Sequence, residues 1–183
     1  MADVFISFIH EEQELAKAVQ TFLEKVVGGE PQVFLSTDTW HIYAGELWLQ
    51  RIVDELKEAR VVILMLSPVS VVRPWVNFEA GGAFFTDKRI IPVCIGGLSK
   101  GCMPKPYCDF QAVDLESEGD QYYLATSVCH WLSDKLRVPP LPPLPESMLQ
   151  LRPELDKLRA PYRELRAALD RFKNRTSKGT SPT

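Results

Sequence analysis

The sequence predicts an α/β fold in which helices cover both faces of a parallel β-sheet. One observation behind this prediction is a run of six apolar residues, Val61–Leu66, which is too short to cross a membrane and is typical of a strand buried on both faces. A second observation is that short apolar runs alternate along the chain with longer segments whose apolar residues recur at helical spacing. Such alternation indicates parallel strands joined by right-handed helical crossovers.

The first elements follow from hydrophobic spacing and from glycine. Residues 4–9 (VFISFI) form an apolar run that is interpreted as the first buried strand. Residues 11–27 carry apolar side chains at helical spacing and acids in the first turn, which predicts an amphipathic helix. Two glycines end this helix, and residues 33–35 form a second short strand. A polar, aromatic-rich loop at 36–45 (STDTWHIYAG) leads into a helix at 46–59. Its predicted buried residues are Leu49, Ile52, Val53 and Leu56.

The remaining elements of the predicted domain begin with the third strand, Val61–Leu66. A helix starts near Pro74, because proline suits a first helical turn but not a helix interior. Residues 90–95 are predicted to form the fourth strand and residues 110–113 a short fifth strand. A last helix is predicted at 120–136. The chain therefore supplies five strands, each of the first four followed by a helix or a long loop.

A carboxylate and an indole lie on one face of the helix that begins near Pro74. Trp75 and Glu79 are four residues apart, and side chains at this spacing are neighbours on a helix. Gly81 and Gly82 follow, each costing about 1 kcal/mol of helix stability relative to alanine, which indicates a close approach by backbone or ligand. Since ligands of parallel sheets bind at the carboxyl ends of the strands, Trp75 and Glu79 mark a candidate site there.

The C-terminal part of the chain differs in composition from the rest. Residues 138–145 contain five prolines and are predicted to form a stiff spacer, with an SH3-type ligand as the alternative. Residues 146–175 are predicted to be helical, interrupted at Pro161, and residues 176–183 to be disordered. The helical segment carries apolar residues at heptad spacing: Leu155, Leu158, Tyr162, Leu165, Leu169 and Phe172. This seam either folds back on the body or binds another helix.

Composition excludes several classes of function. The four cysteines lack the C-x-x-C spacing of zinc sites, so no metal is expected and free thiols in a reducing compartment are favoured. Acidic residues outnumber basic ones before residue 146, which argues against nucleic-acid binding, whereas the basic residues after it can contact an acidic partner. Without a basic, apolar leader or an apolar run of about 20 residues, the protein is expected to be cytoplasmic and soluble.

Four motifs, in this order, resemble a Toll/interleukin-1 receptor (TIR) domain of the stand-alone bacterial type over residues 1–137. They are the opening VFISFIHEE, the loop STDTWHIYAG before a helix, the buried strand ending in LSP, and WVNFE. The resemblance implies a flavodoxin-like sheet of five parallel strands in the order 2-1-3-4-5. It also implies one of two activities: many such domains cleave NAD at the bond between nicotinamide and ribose, and others act only as adaptor modules.

The resemblance implies a role for seven residues. Glu79 is the expected catalytic carboxylate, and Trp75 either stacks on substrate or shapes the pocket. Phe8 and Ile9 match the floor of the family's pocket, although Phe8 is also a natural core residue. The other three lie in or beside the loop that gates the pocket and contacts a neighbouring subunit: Asp38, Trp40 and His41. Asp38 can instead hold the loop by an Asx turn. The loop lacks the proline common in receptor-type members, which weakens the adaptor interpretation.

The chemistry of NAD suits this small set of groups. Nicotinamide is cationic when bound to ribose and leaves as a neutral molecule, so no second carboxyl group is needed to protonate it, in contrast to ordinary glycosidases. One carboxylate can stabilise the oxocarbenium-like charge on the ribose. A G-x-G-x-x-G fingerprint is absent, so NAD is expected as a consumed substrate and not as a bound cofactor. A nucleoside-processing transferase, which shares the sheet and a catalytic glutamate, is a further alternative.

Overall fold

A computed structural model of the chain describes residues 2–27, 31–36 and 48–133, together with Pro153, Asp156 and Lys157. The predicted linker at 138–145 and the tail at 176–183 lie outside the described residues. The same holds for the segment at 146–175, apart from the three residues just named.

A five-stranded sheet forms the centre of the described structure. Its strands are β1 (Val4–Ser7), β2 (Val33–Leu35), β3 (Val61–Leu66), β4 (Arg89–Cys94) and β5 (Val113–Asp114). They lie in the order β2-β1-β3-β4-β5, and every neighbouring pair is parallel. This confirms the predicted fold class and strand order.

In the described part of residues 2–133, four α-helices cover the sheet: α1 (Gln13–Val26), α2 (Trp48–Glu58), α3 (Pro74–Phe85) and α4 (Glu118–Leu132). Short 3-10 helices precede α1 (His10–Glu12) and α3 (Ser70–Val72), and two more lie between β4 and β5. Within the described ranges, none of these helices is long and apolar enough to cross a lipid bilayer.

Side chains on alternate positions of the strands enter two separate cores, one on each face of the sheet. Val4 and Ile6 pack with α1 and α4, whereas Phe5 packs with α2 and α3. By the same period of two, Ser7 faces the side of α2 and α3. A hydroxyl at the end of an otherwise apolar strand thus lies on the same side of the sheet as the helix that carries Trp75 and Glu79.

The structure corrects several of the predicted details. Leu49, in the first turn of α2, is 46% exposed, whereas Ile52 and Leu56, one and two turns further on, are buried. The fifth strand begins at Val113 and not at 110, since the backbone N–H of Phe110 is already bonded to the carbonyl of Tyr107 at the end of a 3-10 helix. The first strand ends at Ser7.

The other helices and strands agree with their predicted positions to within a few residues. α1 begins after a 3-10 turn and not at residue 11, and β4 starts one residue earlier than predicted. α4 starts at Glu118 because the Ser117 hydroxyl caps it, accepting a hydrogen bond from the Asp120 N–H. Proline at the first position of α3 confirms the predicted start of that helix.

Candidate functional site

Glu79 lies in the second turn of α3, and its side chain is fully buried. The Ser7 hydroxyl, at the carboxyl end of β1, donates a hydrogen bond of 2.5 Å to Oε2 of Glu79. The contact exists because β1 ends with a hydroxyl on the face of the sheet that α3 covers. Glu79 is therefore placed at the edge of the sheet where the sequence predicts a site.

Three buried polar atoms of the candidate site have no hydrogen-bond partner among the residues that the structure describes. Within the described part of the chain, no partner is found for Oε1 of Glu79, for the indole Nε1 of Trp75 or for the Ser36 hydroxyl. Trp75 and Ser36 nevertheless favour the ionised form of the Glu79 carboxyl group, and both lower its pKa. Buried polar groups in folded proteins are almost always paired, so this group of atoms can accept hydrogen bonds from, or donate them to, a bound molecule.

The ionisation of Glu79 is set by opposing effects. Burial raises the pKa of its carboxyl group to about 7, from an ordinary value of 4.5, because desolvation disfavours the charge. Hydrogen bonding from Ser7 is the largest effect in the opposite direction, followed by Trp75 and Ser36. At neutral pH the group is thus divided between acid and carboxylate, and titratable groups in this range are typical of functional sites.

An aromatic stack connects the surroundings of Glu79 to the protein surface. The ring of Trp75 lies between those of Trp48 and Phe78, with centroid separations of 4.4 and 5.4 Å. Trp48 is 37% exposed and Phe78 is 50% exposed, whereas Trp75 is partly buried. The stack depends on close packing of α2 against α3, which Gly82 permits: a Cβ atom there would lie 2.9 Å from Cδ2 of Leu56.

Phe8 and Ile9 lie on opposite faces of the sheet. Phe8 is buried in the core beneath α1 and α4, which favours the core role that the sequence left open. Ile9 is 8% exposed and belongs to the core beneath α2 and α3, where Trp75 also packs. Of the two predicted floor residues, only Ile9 is thus on the side of Glu79.

Three predicted site residues, Asp38, Trp40 and His41, lie outside the described residues. The loop to which they belong starts at Ser36, whose amide is bonded to the carbonyl of Ile6 at 3.0 Å. Ser36 is buried. The hydroxyl of Ser36 lowers the pKa of Glu79, which relates the first residue of this loop to the candidate site.

Sequence reasoning missed two residues of the site, Ser7 and Ser36. The only available signal for Ser7 was a polar residue within the apolar run at 4–9, together with the alternation of strand side chains. Ser36 follows a strand of three residues, too short for its alternation to be read. Among the described residues, no group of three or more His, Cys, Asp or Glu side chains could hold a metal ion.

The arrangement is suited to stabilising positive charge next to a planar group. It offers one carboxylate of near-neutral pKa, a hydroxyl that fixes one of its oxygens, and an indole that lowers the pKa of the carboxylate. A carboxylate in a water-poor pocket interacts with a cation far more strongly than it does in water. The indole face can add roughly 0.5–2 kcal/mol for a cation placed over it.

Comparisons with known proteins identify the domain. The family model described as TIR domain (TIR_2) matches residues 4–126. Among solved structures, a metazoan TIR-STING receptor from C. gigas, in complex with 2',3'-cGAMP, is similar with a TM-score of 0.51 and 22% identity. The match covers 73% of this chain and 40% of that chain, so this chain spans well under half the length of that receptor.

A second solved structure is the activated Roq1 resistosome that directly recognises the pathogen effector XopQ (TIR domains). It is 16% identical, with a TM-score of 0.45, and the match covers 87% of this chain and 84% of that one. A search of curated proteins found no match.

Proposed function

The chain belongs to the TIR domain family, and on that basis we propose that it is an NAD nucleosidase, which cleaves the bond between nicotinamide and ribose. The products are nicotinamide and either ADP-ribose or a cyclic ADP-ribose isomer. NAD is a substrate in this proposal and not a resident cofactor. That the chain is of the stand-alone bacterial type remains a prediction.

The observation that supports this proposal most is the state of the Glu79 carboxylate. Its Oε2 is held by Ser7, while Oε1 has no partner among the described residues, and the Trp75 indole lowers the pKa of the carboxyl group. A ribose brought to this side would meet an acceptor oxygen for its hydroxyls and a negative charge for its developing oxocarbenium ion. The nicotinamide ring can lie against the aromatic stack of Trp48, Trp75 and Phe78.

Cleavage in this site needs the ionised form of Glu79. As the bond breaks, its electron pair moves to the pyridinium nitrogen, nicotinamide leaves neutral, and the positive charge moves to the ribose. The carboxylate stabilises that charge, so activity is expected to rise as pH increases through about 7, the pKa of Glu79. Water or an adenine nitrogen then captures the ribosyl cation, giving the linear or the cyclic product.

Self-association completes the proposal. The loop at 36–45, with Asp38, Trp40 and His41, is proposed to close the pocket against a neighbouring copy, so that assembly activates cleavage. The heptad seam at 155–172 is proposed to support this assembly or to bind a partner helix. Such an enzyme suits an effector of antiviral defence or immune signalling, in which activity stays low until copies meet.

The test is turnover of NAD by the purified chain at high concentration, with products separated by chromatography. Glu79→Gln keeps the shape of the side chain and removes its charge, so nicotinamide release is expected to fall by about a hundred- to a thousandfold. Glu58→Gln, at the exposed end of α2, is the matched control and should keep full activity. Equal activity of the parent and Glu79→Gln would contradict the proposal. Free nucleosides in parallel reactions test the transferase alternative.

One observation favours the second candidate, a non-catalytic adaptor that binds other TIR domains. Phe78 and Phe85 are seven residues apart on α3, and they are 50% and 85% exposed. Large exposed aromatic side chains on one helix face are typical of interaction surfaces. If this surface recruits partners without catalysis, Phe85→Asp should reduce the oligomer size at a given concentration, and Glu79→Gln should leave that size unchanged.

A further inference from the structure

The connection between β4 and β5, residues 95–112, takes no part in the proposed chemistry, although it starts at the edge of the sheet where the candidate site lies. It contains two 3-10 helices, and the second of them, Tyr107–Asp109, begins with a buried aromatic residue. Tyr107 is 2% exposed and belongs to the core beneath α2 and α3, against which Trp75 packs. One side chain of this connection therefore lies in the apolar surroundings of the site.

The segment that carries Tyr107 is joined to its neighbours by defined contacts. Its turn is closed by a hydrogen bond of 3.2 Å from the N–H of Phe110 to the carbonyl of Tyr107. Nearer β4, the Lys100 ammonium contacts Oδ2 of Asp120 at 2.5 Å, which links the connection to the first turn of α4. Tyr107 thus projects from a closed turn in a segment that is also tied to a helix.

The hydroxyl of Tyr107 makes a short hydrogen bond to α3. It donates to Oδ1 of Asn77 at 2.6 Å. Burial raises the pKa of this hydroxyl, so it keeps the proton that it donates. The amide group of Asn77 is used at both ends, because its Nδ2 donates to the carbonyl of Arg73 at 2.9 Å. An amide fixed in this way presents its oxygen, and not its nitrogen, to the phenol.

Asn77 belongs to the turn of α3 that carries Trp75. Its backbone N–H donates at 3.1 Å to the carbonyl of Arg73, the residue that precedes the helix. Trp75 lies between these two residues in the chain, so the backbone that carries the indole is enclosed by the two bonds from Asn77 to Arg73. The bond from Tyr107 then ties this closed turn to the connection between β4 and β5.

Trp75 depends on this turn more than Glu79 does. The indole Nε1 of Trp75 has no hydrogen-bond partner among the residues that the structure describes, so packing and the backbone place the ring. Glu79 lies one turn further along α3 and has its own tie to β1, the hydrogen bond of 2.5 Å from Ser7. A shift of the first turn would therefore move the indole, and change its stacking on Trp48, while the carboxylate stays in place.

We infer that Tyr107 is a positioning residue for the Trp75 indole: its hydrogen bond to Asn77 fixes the first turn of α3, on which the aromatic stack depends. The part of this inference that concerns substrate rests on the proposed NAD cleavage, in which the nicotinamide ring lies against the stack. The placement of the indole does not, because it can be measured on the protein without substrate.

Tyr107→Phe removes the hydroxyl and keeps the buried ring, so it tests the hydrogen bond without opening a cavity. Because the stack is proposed to hold nicotinamide both before and during cleavage, KM for NAD should rise by about two- to tenfold, as for one lost hydrogen bond, and kcat should stay within about twofold. Tyr123→Phe alters a tyrosine on α4 that is 46% exposed. It is the matched control and should keep the parental KM.

A second substitution tests whether the effect passes through Asn77. Asn77→Ala removes the acceptor for Tyr107 and should raise KM at least as much, because it also removes the side-chain bond to Arg73. Adding Tyr107→Phe to Asn77→Ala should raise KM no further, because both changes remove the same bond. Separate effects that multiply in the double variant would overturn the inference.

The stack itself can be followed without substrate. The stacked indoles of Trp48 and Trp75, with centroids 4.4 Å apart, give an exciton-coupled signal in the far-ultraviolet circular dichroism spectrum, and Trp48→Phe identifies that signal by removing it. Tyr107→Phe should lose part of the signal, since a displaced Trp75 ring couples less well to Trp48. Tyr123→Phe should keep all of it.

Each contrary result has a separate meaning. An unchanged stacking signal in Tyr107→Phe would overturn the inference, because the indole would then keep its place without the hydrogen bond. A fall in kcat at unchanged KM would also overturn it, since Tyr107 would then act on the cleavage step and not on the indole. If the parent releases no nicotinamide, NAD cleavage is contradicted, while the stacking signal still decides whether Tyr107 positions Trp75.

Discussion

Glu12 and Glu79 are both fully buried near the carboxyl ends of β1 and β3, but they are held by different kinds of group. Glu79 is surrounded by side chains from three separate parts of the fold, Ser7, Ser36 and Trp75. Oε2 of Glu12 accepts a hydrogen bond from the backbone N–H of Ile9, three positions earlier, and the hydroxyls of Ser67 and Ser70 lower the pKa of its carboxyl group. In each carboxylate, one oxygen is bonded and the other has no partner among the described residues.

Burial and a raised pKa are common to both glutamates, so neither property by itself selects the carboxylate that is proposed to be catalytic. Both pKa values are raised chiefly by desolvation, to about 7 and about 6. The difference lies in the neighbours. Glu79 adjoins the Trp75 indole, which stacks on the partly exposed ring of Trp48, and it also adjoins Ser36, the first residue of a loop. Glu12 adjoins backbone and the turn at residues 67–70, which is held by its own hydrogen bonds. The neighbouring aromatic stack, and not burial, is what supports the catalytic role proposed for Glu79.

The largest expected effect is on stability at high pH. A carboxyl group whose pKa is raised on folding destabilises the folded state progressively as pH rises from the unfolded pKa, 4.5, to the folded pKa, because only the folded state keeps its proton in that window. At about 1.4 kcal/mol per pKa unit, the cost at pH 8 is up to roughly 3 kcal/mol for Glu79 and roughly 2 kcal/mol for Glu12. Below pH 4.5 there is no such cost.

Urea unfolding of Glu79→Gln and Glu12→Gln at pH 4.5 and pH 8 measures this difference. Relative to the parent, both variants are expected to gain free energy of unfolding between pH 4.5 and pH 8, and Glu79→Gln is expected to gain more. Glu14→Gln should show no gain. A larger gain for Glu12→Gln would reverse the comparison and make Glu12 the more strained carboxylate.

A smaller effect is expected from the hydrogen bond that only Glu79 receives from a strand side chain. Ser7→Ala removes a donor that stabilises the ionised carboxylate, so the pKa of Glu79 should rise by about one unit or more. The acid limb of kcat/KM for NAD should then move to higher pH, with activity reduced about fivefold or more at pH 7 and largely recovered at pH 9.

The matched substitution for Glu12 is Ser70→Ala, which removes a hydroxyl that lowers the pKa of the Glu12 carboxyl group. It should lower stability while leaving the position of the acid limb within a few tenths of a pH unit. An acid limb that stays in place in Ser7→Ala would show that the pH dependence does not come from Glu79.

The sequence predicted the sheet and one of the two buried glutamates, Glu79. The apolar run Val61–Leu66 and the spacing of the helices were enough for the class of fold, and the family resemblance supplied the strand order. Glu79 and Trp75 were found because a helical spacing of four is local in sequence. Ser7 and Ser36 were not found, because their contact with Glu79 depends on the packing of α3 on the sheet. Glu12 was overlooked because two adjacent glutamates in a polar turn give no sign that one of them is buried.

The smallest predicted effect concerns the helix that carries Glu79. Gly81 and Gly82 were expected together to mark a close approach, but the structure separates them: a Cβ atom at Gly81 meets nothing within 4 Å, whereas one at Gly82 lies 2.9 Å from Leu56 Cδ2. Gly81→Ala should therefore raise the free energy of unfolding by about 0.5–1 kcal/mol through helix propensity.

In Gly82→Ala the same gain is opposed by overpacking against α2, which typically costs about 1–3 kcal/mol. Thermal unfolding of the two variants should thus give changes of opposite sign. Because Gly82 allows α2 to hold Trp48 against Trp75, Gly82→Ala should also change the tryptophan fluorescence, and Gly81→Ala should not. Equal stabilisation by both substitutions would mean that the Leu56 side chain moves aside at no cost in stability. The aromatic stack beside Glu79 would then not depend on Gly82.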